Sequence, residues 1–96
     1  MNTKEIIAMT EAHYLPVFGR FPIAIDHGEG ATLYDADGKA YIDFLAGIAT
    51  NALGYHHPAI VKAVCEQTQK VMHTSNLFYT EIQAKAAQQL AEVTGM

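Results

Sequence analysis

The sequence has little of several features that would place it in a particular class. It has no tryptophan and a single cysteine, Cys65, which excludes an internal disulfide and favours a reducing, cytoplasmic compartment. Six basic residues against ten acidic ones give a net charge of −4, which argues against nucleic acid or an anionic membrane as a partner. No apolar run approaches the roughly 18 residues of a membrane span. Residues 1–14 lack the apolar stretch of a secretory signal.

Apolar residues, by contrast, are plentiful. Half of the 96 residues are hydrophobic and only 17% are charged. A domain of this size buries only about two-thirds of the surface that its unfolded chain exposes, so one small core cannot enclose that many apolar side chains. The composition therefore predicts one domain over residues 1–96, with part of its apolar surface in an interface.

The stretch from Leu33 to Pro58 organises the prediction of the fold. Short apolar runs flank the turn Ala36–Gly38, and Asp-Gly is typical of a tight turn between antiparallel strands. A further apolar run precedes Gly28. Together they predict a small three-stranded antiparallel sheet with strands at Ile23–Asp26, Ala31–Asp35 and Ala40–Phe44.

The N-terminal region predicts a short helix followed by an irregular segment. Asn2 and Glu5 have the spacing of a capping box, and the helix is expected to reach about Ala12. The segment Tyr14–Phe21 is rich in aromatic residues and has no clear period, so an extended conformation is expected. It either lies against another surface or is a plain linker packed on its own core.

The C-terminal third predicts two helices, which makes the fold class α+β. The first is expected over Pro58–Met72, because proline is favoured at the first helical position and an apolar stripe follows. The second is expected over Glu81–Val93, capped by Thr80 with Gln83 at the third position and ended by Gly95.

Between the sheet and the second helix, Leu45–Leu53 carries no charged side chain and is rich in small residues. The segment is too short and too glycine-rich to predict a helix. Small apolar residues in such a place indicate that another surface lies close to them. That surface is left open as a core, a partner subunit or a ligand.

Several residues have the chemistry of a catalytic or metal site without the spacing of one. His56 and His57 are adjacent, so their side chains diverge on regular backbone, and no cysteine or acid stands at ligand spacing. Asp35 and Asp43 belong to turns, where carboxylates are usually solvated or bonded to their own backbone. Cys65 lies beside an apolar stripe, as a buried thiol does. Neither a catalytic set nor a metal site is predicted.

Seven short segments follow one another in an order that is typical of one enzyme family. They are Tyr14 with Pro16, Gly28–Gly38, Tyr41–Phe44, Gly47–Ala49, Asn51–Gly54, His57–Pro58 and Thr74–Tyr79. This ordered set resembles the N-terminal region of class III pyridoxal-phosphate aminotransferases and covers nearly all of the chain. Phe18–Pro22 and Gly47–Gly54 are most similar to the branch that acts on N-acetylornithine. Thr50 and Tyr55 depart from the family pattern, which more often has an aliphatic residue and a histidine there.

The resemblance implies the N-terminal part of a fold-type I transferase that depends on pyridoxal 5'-phosphate. Family members are several times longer, so we expect a truncation or fragment without the catalytic large domain. The chain's lysines match none of the family's motifs for the lysine that binds the cofactor; they are Lys4, Lys39, Lys62, Lys70 and Lys85. Catalytic and cofactor-binding residues are therefore expected to be absent, and the 96-residue chain alone is expected to be inactive.

The reaction that the resemblance implies is transfer of the amino group of N-acetylornithine to 2-oxoglutarate, in arginine biosynthesis, by a cytoplasmic homodimer. Ornithine and succinyldiaminopimelate stay open as substrates. The implied substrate-binding residues are Phe18, Gly19, Arg20 and Ile48. The implied dimer contacts are Gly47, Ala49, Ser75, Asn76 and Phe78. The alternative is a non-catalytic fragment that acts only as a dimerisation or interaction module.

Overall fold

The computed structural model describes residues 1–96, which form two compact units, 1–62 and 63–96. The elements in chain order are α1 (Thr3–His13), β1 (Ile25–Glu29), β2 (Thr32–Asp35), β3 (Ala40–Ile42), α2 (Ala46–Ala49), α3 (Pro58–Thr68) and α4 (Glu81–Thr94). The predicted α+β class is confirmed: three antiparallel strands are accompanied by helices.

Helix α1 begins with the predicted capping box. The Asn2 side chain accepts a hydrogen bond from the N–H of Glu5 at 2.9 Å, and the Glu5 carboxylate accepts one from the N–H of Asn2 at 3.0 Å. The helix extends one residue beyond the predicted end, to His13. The N–H of Thr3 donates to the Asp37 carboxylate at 3.1 Å, which joins the start of α1 to the turn between β2 and β3.

The sheet has the order β1-β2-β3, as predicted, but the first strand is displaced along the chain. It was expected at Ile23–Asp26 and instead covers Ile25–Glu29, so three residues assigned to a turn belong to the strand. Glu29 pairs with Thr32, which leaves a turn of only two residues. The register shifts between Ile25 and His27, a β-bulge that the alternation of residue types does not reveal.

The third strand ends at Ile42 rather than at Phe44. Asp43 ends it, because its carboxylate accepts hydrogen bonds from the N–H groups of Leu45 at 2.9 Å and Ala46 at 3.0 Å. A strand that continued would have needed those groups for pairing. The chain therefore turns immediately after β3.

Element α2 is a single turn of left-handed helix. The φ angles from Ala46 to Ala49 are 52°, 63°, 60° and 61°. The N–H of Ala49 bonds to the carbonyl of Leu45 at 3.0 Å, and the N–H of Thr50 bonds to that of Ala46 at 2.8 Å. Left-handed geometry disfavours every residue with a Cβ, so no sequence pattern predicts three such residues in one turn.

Helix α3 ends at Thr68, before the predicted Met72. The N–H groups of Lys70 and Val71 both bond to the carbonyl of Gln67, at 3.0 and 3.1 Å. The side-chain amide of Gln67 also donates to the carbonyl of Val71 at 2.8 Å. These bonds close the end of the helix on itself, which the continuing apolar stripe does not indicate.

Helix α4 matches its predicted range to within one residue, but its first turn differs from the prediction. Thr80 occupies the N-cap position with extended backbone, yet its side chain makes no capping hydrogen bond. The predicted end is confirmed. Gly95 has a φ of 73°, which glycine adopts without a Cβ clash, and its N–H bonds to the carbonyl of Ala91 at 2.9 Å.

Very little apolar surface is enclosed. Ala24 is the single buried apolar residue, and Cys65, expected to be buried, is exposed. The accessible surface is 8600 Å². A compact monomer of 10.5 kDa would expose roughly 5,400 Å². Apolar side chains therefore face outward along most elements. None of the helices is both long enough and apolar enough to span a membrane.

Candidate functional site

The aromatic N-terminal segment lines a cleft of about 610 Å³ in the unit 1–62. Helix α1 contributes one wall through Ile6, Ile7 and Thr10. The guanidinium of Arg20 lies 4.7 Å from the ring centroid of Tyr14 and 5.9 Å from that of Phe18. Aromatic faces hold a guanidinium in place without occupying its N–H donors. The cleft therefore combines apolar walls with a positioned cation, Arg20, and one acidic side chain, Glu11.

The predicted substrate residues do not all meet at this cleft. Phe18 and Arg20 line it, and Phe18 is 68% exposed. Gly19 lies between them in sequence but is not part of the lining, and a Cβ placed on it would have no atom within 4 Å. Ile48 is also absent from the lining. The cleft is therefore built from Phe18 and Arg20 together with α1 and the start of the sheet.

Ile48 instead projects from the left-handed turn α2, where its side chain is 82% exposed. A Cβ added to Gly47 would come within 3.0 Å of the side-chain nitrogen of Asn51. Ala49, like Gly47, is exposed. The turn thus presents one large apolar side chain flanked by two small residues. Such a surface leaves room for a close approach by a ligand or another polypeptide.

Asp43 and Tyr55 join the two ends of the loop that carries α2. The Tyr55 hydroxyl donates to one carboxylate oxygen of Asp43 at 2.5 Å, while the other oxygen accepts the two N–H groups at the start of α2. Tyr55 also exchanges backbone hydrogen bonds with Gly30, at 2.8 and 3.1 Å. Gly54 makes this pairing possible: its φ is 75°, and a Cβ there would lie 2.6 Å from the carbonyl oxygen of Gly30.

These contacts shift the pKa values of both partners. The pKa of Asp43 lies below its ordinary value of 3.8, first because of the Tyr55 hydrogen bond and then because of the two backbone N–H groups. The pKa of Tyr55 lies above its ordinary value of 10.0, chiefly because its hydroxyl donates to Asp43. Asp43 is therefore ionised and Tyr55 protonated at neutral pH, so neither is poised for proton transfer there.

Asp35 has the same kind of surroundings in the turn between β2 and β3. Its carboxylate accepts the N–H groups of Asp37 at 3.0 Å and Lys39 at 2.9 Å, and the hydroxyl of Tyr41 at 2.9 Å. The Lys39 N–H is the main cause that lowers its pKa. Asp35 is only 7% exposed. It is a buried structural carboxylate rather than a solvated turn acid.

The remaining predicted interface residues belong to the unit 63–96. Ser75 and Asn76 line a groove of about 640 Å³, and both are exposed. Ser75 has a φ of 66°, and its carbonyl accepts the N–H of Phe78 at 3.4 Å. Phe78 is 66% exposed. The segment is thus a tight turn that presents an aromatic side chain.

The positions of the lysines bear on where pyridoxal phosphate could be held covalently. The 610 Å³ cleft and the 640 Å³ groove contain no lysine. A third, smaller groove of about 240 Å³ contains Lys70 and Lys85, but Lys85 is ion-paired with Glu81 on an exposed helix face. No group of three or more His, Cys, Asp or Glu side chains is arranged to hold a metal ion. His57 accepts the N–H of Ala59 at 3.2 Å at the start of α3.

Sequence reasoning missed the part that Asp43 and Tyr55 play. The turn acids were expected to be solvated or bonded to local backbone, and the backbone bonds are indeed present. The tyrosine partners were not expected, and Tyr55 was noted only as a departure from the usual histidine. The available signal was that each turn acid is followed by a tyrosine within 12 residues, at positions 41 and 55.

Comparison with known proteins gives a family. The sequence profile described as Aminotransferase class-III matches residues 15–96. The chain belongs to the class III aminotransferase family. The acetylornithine aminotransferase of Methanocaldococcus jannaschii is 41% identical over 96 residues, which are 100% of this chain and 24% of that protein.

Solved structures of class III aminotransferases have the same arrangement. The acetylornithine aminotransferase of Elizabethkingia anophelis superposes with a TM-score of 0.96 at 32% identity, over 100% of this chain and 25% of that one. The ornithine aminotransferase of Toxoplasma gondii superposes with a TM-score of 0.92 at 27% identity, over 99% of this chain and 22% of that one. The chain thus spans about a quarter of the length of the relatives that it matches.

Proposed function

We propose that residues 1–96 serve as the N-terminal portion of a pyridoxal-phosphate-dependent aminotransferase that transfers the amino group of N-acetylornithine to 2-oxoglutarate. The observation that carries the proposal is the match over the whole chain. All 96 residues align at 41% identity with an acetylornithine aminotransferase, and all superpose on another with a TM-score of 0.96. Arginine biosynthesis, a cytoplasmic location and assembly as a homodimer belong to the same proposal. The single, exposed Cys65 is compatible with a reducing compartment.

In this proposal the N-terminal segment contributes substrate contacts and no catalytic group. Phe18 and Arg20 would contact substrate from the cleft beside α1, where the aromatic contacts of Arg20 hold its guanidinium ready for a carboxylate. Gly19 would leave space between them, and Ile48 would meet substrate from the exposed turn α2. The cofactor would supply the electron sink for amino-group transfer, and its lysine would lie outside these residues.

The uncovered apolar surface supports the proposed dimer. Large apolar side chains are exposed along most of the chain, and obligate dimer interfaces are typically rich in such residues. Gly47, Ala49, Ser75, Asn76 and Phe78 are the proposed dimer contacts. All five are exposed, and Phe78 is the one large apolar side chain among them.

A graft tests the proposal. The matching segment of the Methanocaldococcus jannaschii relative is replaced by residues 1–96, and amino transfer from N-acetylornithine to 2-oxoglutarate is measured. We expect the grafted enzyme to retain activity within about tenfold of its parent. A second graft with Arg20→Ala is expected to raise the KM for substrate. A folded, cofactor-loaded graft without turnover would overturn the proposal and favour a module that acts only in assembly.

The same graft addresses the identity of the substrate. Ornithine is the competing amino donor, because an ornithine aminotransferase superposes almost as well on this chain. We expect kcat/KM for N-acetylornithine to exceed that for ornithine by at least about tenfold. The reverse order would replace the substrate in the proposal and leave the reaction class unchanged.

The 96 residues alone should not hold the cofactor covalently. No lysine lines the 610 Å³ cleft or the 640 Å³ groove, Lys85 in the third groove is ion-paired with Glu81, and a reactive lysine needs a desolvated pocket. We therefore expect borohydride treatment of the isolated chain with pyridoxal phosphate to label no single lysine preferentially. Mass spectrometry of tryptic peptides reads the result. A stoichiometric adduct at one lysine would contradict the expectation.

A further inference from the structure

The loop from residue 43 to residue 55 is closed at its base by hydrogen bonds and by the ring of Tyr55. The Asp43–Tyr55 hydrogen bond joins its two ends, and the Tyr55 backbone is paired with Gly30 in the turn of the first hairpin. The ring of Tyr55 lies directly against Gly28. A Cβ at position 28 would come within 2.6 Å of the ring. The loop end is therefore fixed to the sheet as well as to Asp43.

Asp43 connects this closure to the left-handed turn. One of its oxygens accepts the Tyr55 hydroxyl, and the other accepts the N–H groups of Leu45 and Ala46. The carboxylate thus sets both the end of the loop and the first residues of α2. Charge-assisted hydrogen bonds of this kind are stronger than neutral ones.

The turn needs such support. A left-handed conformation is disfavoured for every residue with a Cβ, and α2 contains Ala46, Ile48 and Ala49 in that state. The Ile48 side chain is 82% exposed, so packing does not compensate for its backbone. Strained backbone persists only where its surroundings over-determine it, and it is concentrated at functional sites.

We propose that Asp43 and Tyr55 are positioning residues that hold the α2 turn in its left-handed form and so present Ile48 to the amino-donor substrate. The inference rests on the proposed function, since Ile48 is a substrate contact there. Neither Asp43 nor Tyr55 touches substrate. They fix the backbone conformation of α2, and that conformation sets the position of the Ile48 side chain.

The chain contains a matched control for this device. Asp35 accepts two backbone N–H groups and one tyrosine hydroxyl, the same set of bonds that Asp43 accepts. None of the hydrogen bonds of Asp35 reaches α2. Asp35→Ala and Tyr41→Phe therefore remove equivalent bonds from the same sheet without releasing the turn.

The kinetic test compares these variants in the grafted enzyme. Asp43→Ala and Tyr55→Phe are expected to raise the KM for N-acetylornithine by about tenfold and about threefold, with kcat changed less than twofold. Ile48→Ala is expected to raise KM similarly. Combining Tyr55→Phe with Ile48→Ala should add nothing further, because both changes remove the same contact. Asp35→Ala and Tyr41→Phe should leave KM unchanged.

Two kinetic outcomes would overturn the proposal. Equal effects of Asp35→Ala and Asp43→Ala on KM would mean that both carboxylates act only on stability. Additive effects of Tyr55→Phe and Ile48→Ala would mean that Tyr55 does not act through Ile48.

A structural readout separates this proposal from the proposed function. The crystal structure of the grafted Tyr55→Phe protein shows the φ angles of residues 46–49 whether or not the protein turns over substrate. We expect at least Ile48 to leave the left-handed region. A turn that keeps all four positive φ angles in both Tyr55→Phe and Asp43→Ala would overturn the positioning role, even in an active enzyme.

Discussion

The loop 43–55 and the unit 63–96 are held in shape by different kinds of contact. In the loop, the Asp43 side chain accepts from the backbone of α2 and from the Tyr55 hydroxyl, and the Tyr55 backbone pairs with that of Gly30. In the unit 63–96, side-chain contacts such as Lys85–Glu81 and Gln88–Glu92 join residues four apart on one exposed helix face. No residue of α3 or α4 is buried.

The loop and the two helices therefore depend on their surroundings to different degrees. The loop has a specified conformation of its own, because directional hydrogen bonds fix its start, join its two ends and pair its end with Gly30. Helices α3 and α4 are specified only locally, and their apolar side chains are left without a partner surface. Helical stability in proteins comes mostly from packing of an apolar face. We therefore expect the loop to respond to single contacts and the helices to respond to whatever covers them.

The largest effect is expected from Gly54→Ala, which acts on the loop. A side chain at position 54 would require a disfavoured φ and would meet the Gly30 carbonyl at 2.6 Å, so the free energy of unfolding should fall by more than about 2 kcal/mol. Urea denaturation of the grafted enzyme measures it. Gly19→Ala is the control, because a Cβ there meets nothing, and its effect should stay within about 0.5 kcal/mol. Similar losses at both positions would contradict this account of the loop.

The next effect concerns the uncovered helix face. Ile82, Leu90 and Val93 of α4 are all more than half exposed. The isolated chain should therefore self-associate at micromolar concentration, and Leu90→Lys should weaken association by about tenfold. Sedimentation velocity gives both results. Gln89→Lys makes the same charge change on the neighbouring exposed position and should leave association unchanged. A monomeric wild-type chain would show that the apolar stripe needs no partner.

A smaller effect separates the two kinds of helix start. Asn2→Ala removes both a side-chain cap and its reciprocal bond, and should destabilise the start of α1 by about 1 kcal/mol. Thr80→Ala should cost much less, because the Thr80 side chain makes no capping bond. Amide hydrogen exchange in the first turn of each helix measures the two. Equal changes would mean that Thr80 caps α4 in solution.

The smallest effect at neutral pH is expected from titration of the two aspartate–tyrosine pairs. The pKa values of Asp35 and Asp43 lie below 3.8, so their stabilisation is present above that pH and is lost as pH falls through the lower folded values. The pKa values of Tyr41 and Tyr55 lie above 10.0. The stabilisation from the two tyrosines is therefore present below that pH and is lost as pH rises through their values in the folded state. Unfolding midpoints of the grafted enzyme should thus be insensitive to these groups between about pH 5 and 9. The double variant Asp35→Asn with Asp43→Asn should weaken the decline in acid. If the unfolding midpoint of the double variant falls as steeply in acid as that of the wild type, other carboxylates cause the acid destabilisation.

Local patterns predicted much of the fold and little of the site. The capping box at Asn2, the alternation around Gly38 and the stop at Gly95 each depend on residues within a few positions, and each was confirmed. The displacement of β1 was not predictable, because a bulge adds a residue without changing the residue types. The handedness of α2 was not predictable either, since three of its four residues carry a Cβ, which disfavours a positive φ.

The candidate site divides in the same way. The sequence indicated a nearby surface for residues 47–49 and left open whether segment 14–21 lies against one or is a plain linker. It could not indicate that Arg20 contacts two aromatic rings, because the rings are brought to it by irregular backbone. The separation of Ile48 from the cleft lined by Phe18 also required coordinates.

The exposed thiol of Cys65 has a consequence for any study of assembly. A lone cysteine has no intramolecular partner, so every disulfide that the chain forms must join it to a second molecule. Cys65 lies on α3, a helix that also carries exposed apolar side chains. Oxidation would therefore convert transient contacts between copies into covalent pairs. Without a reductant, the measured association includes disulfide-linked pairs as well as pairs held by apolar contacts. Only the association measured with a reductant reflects the apolar helix faces.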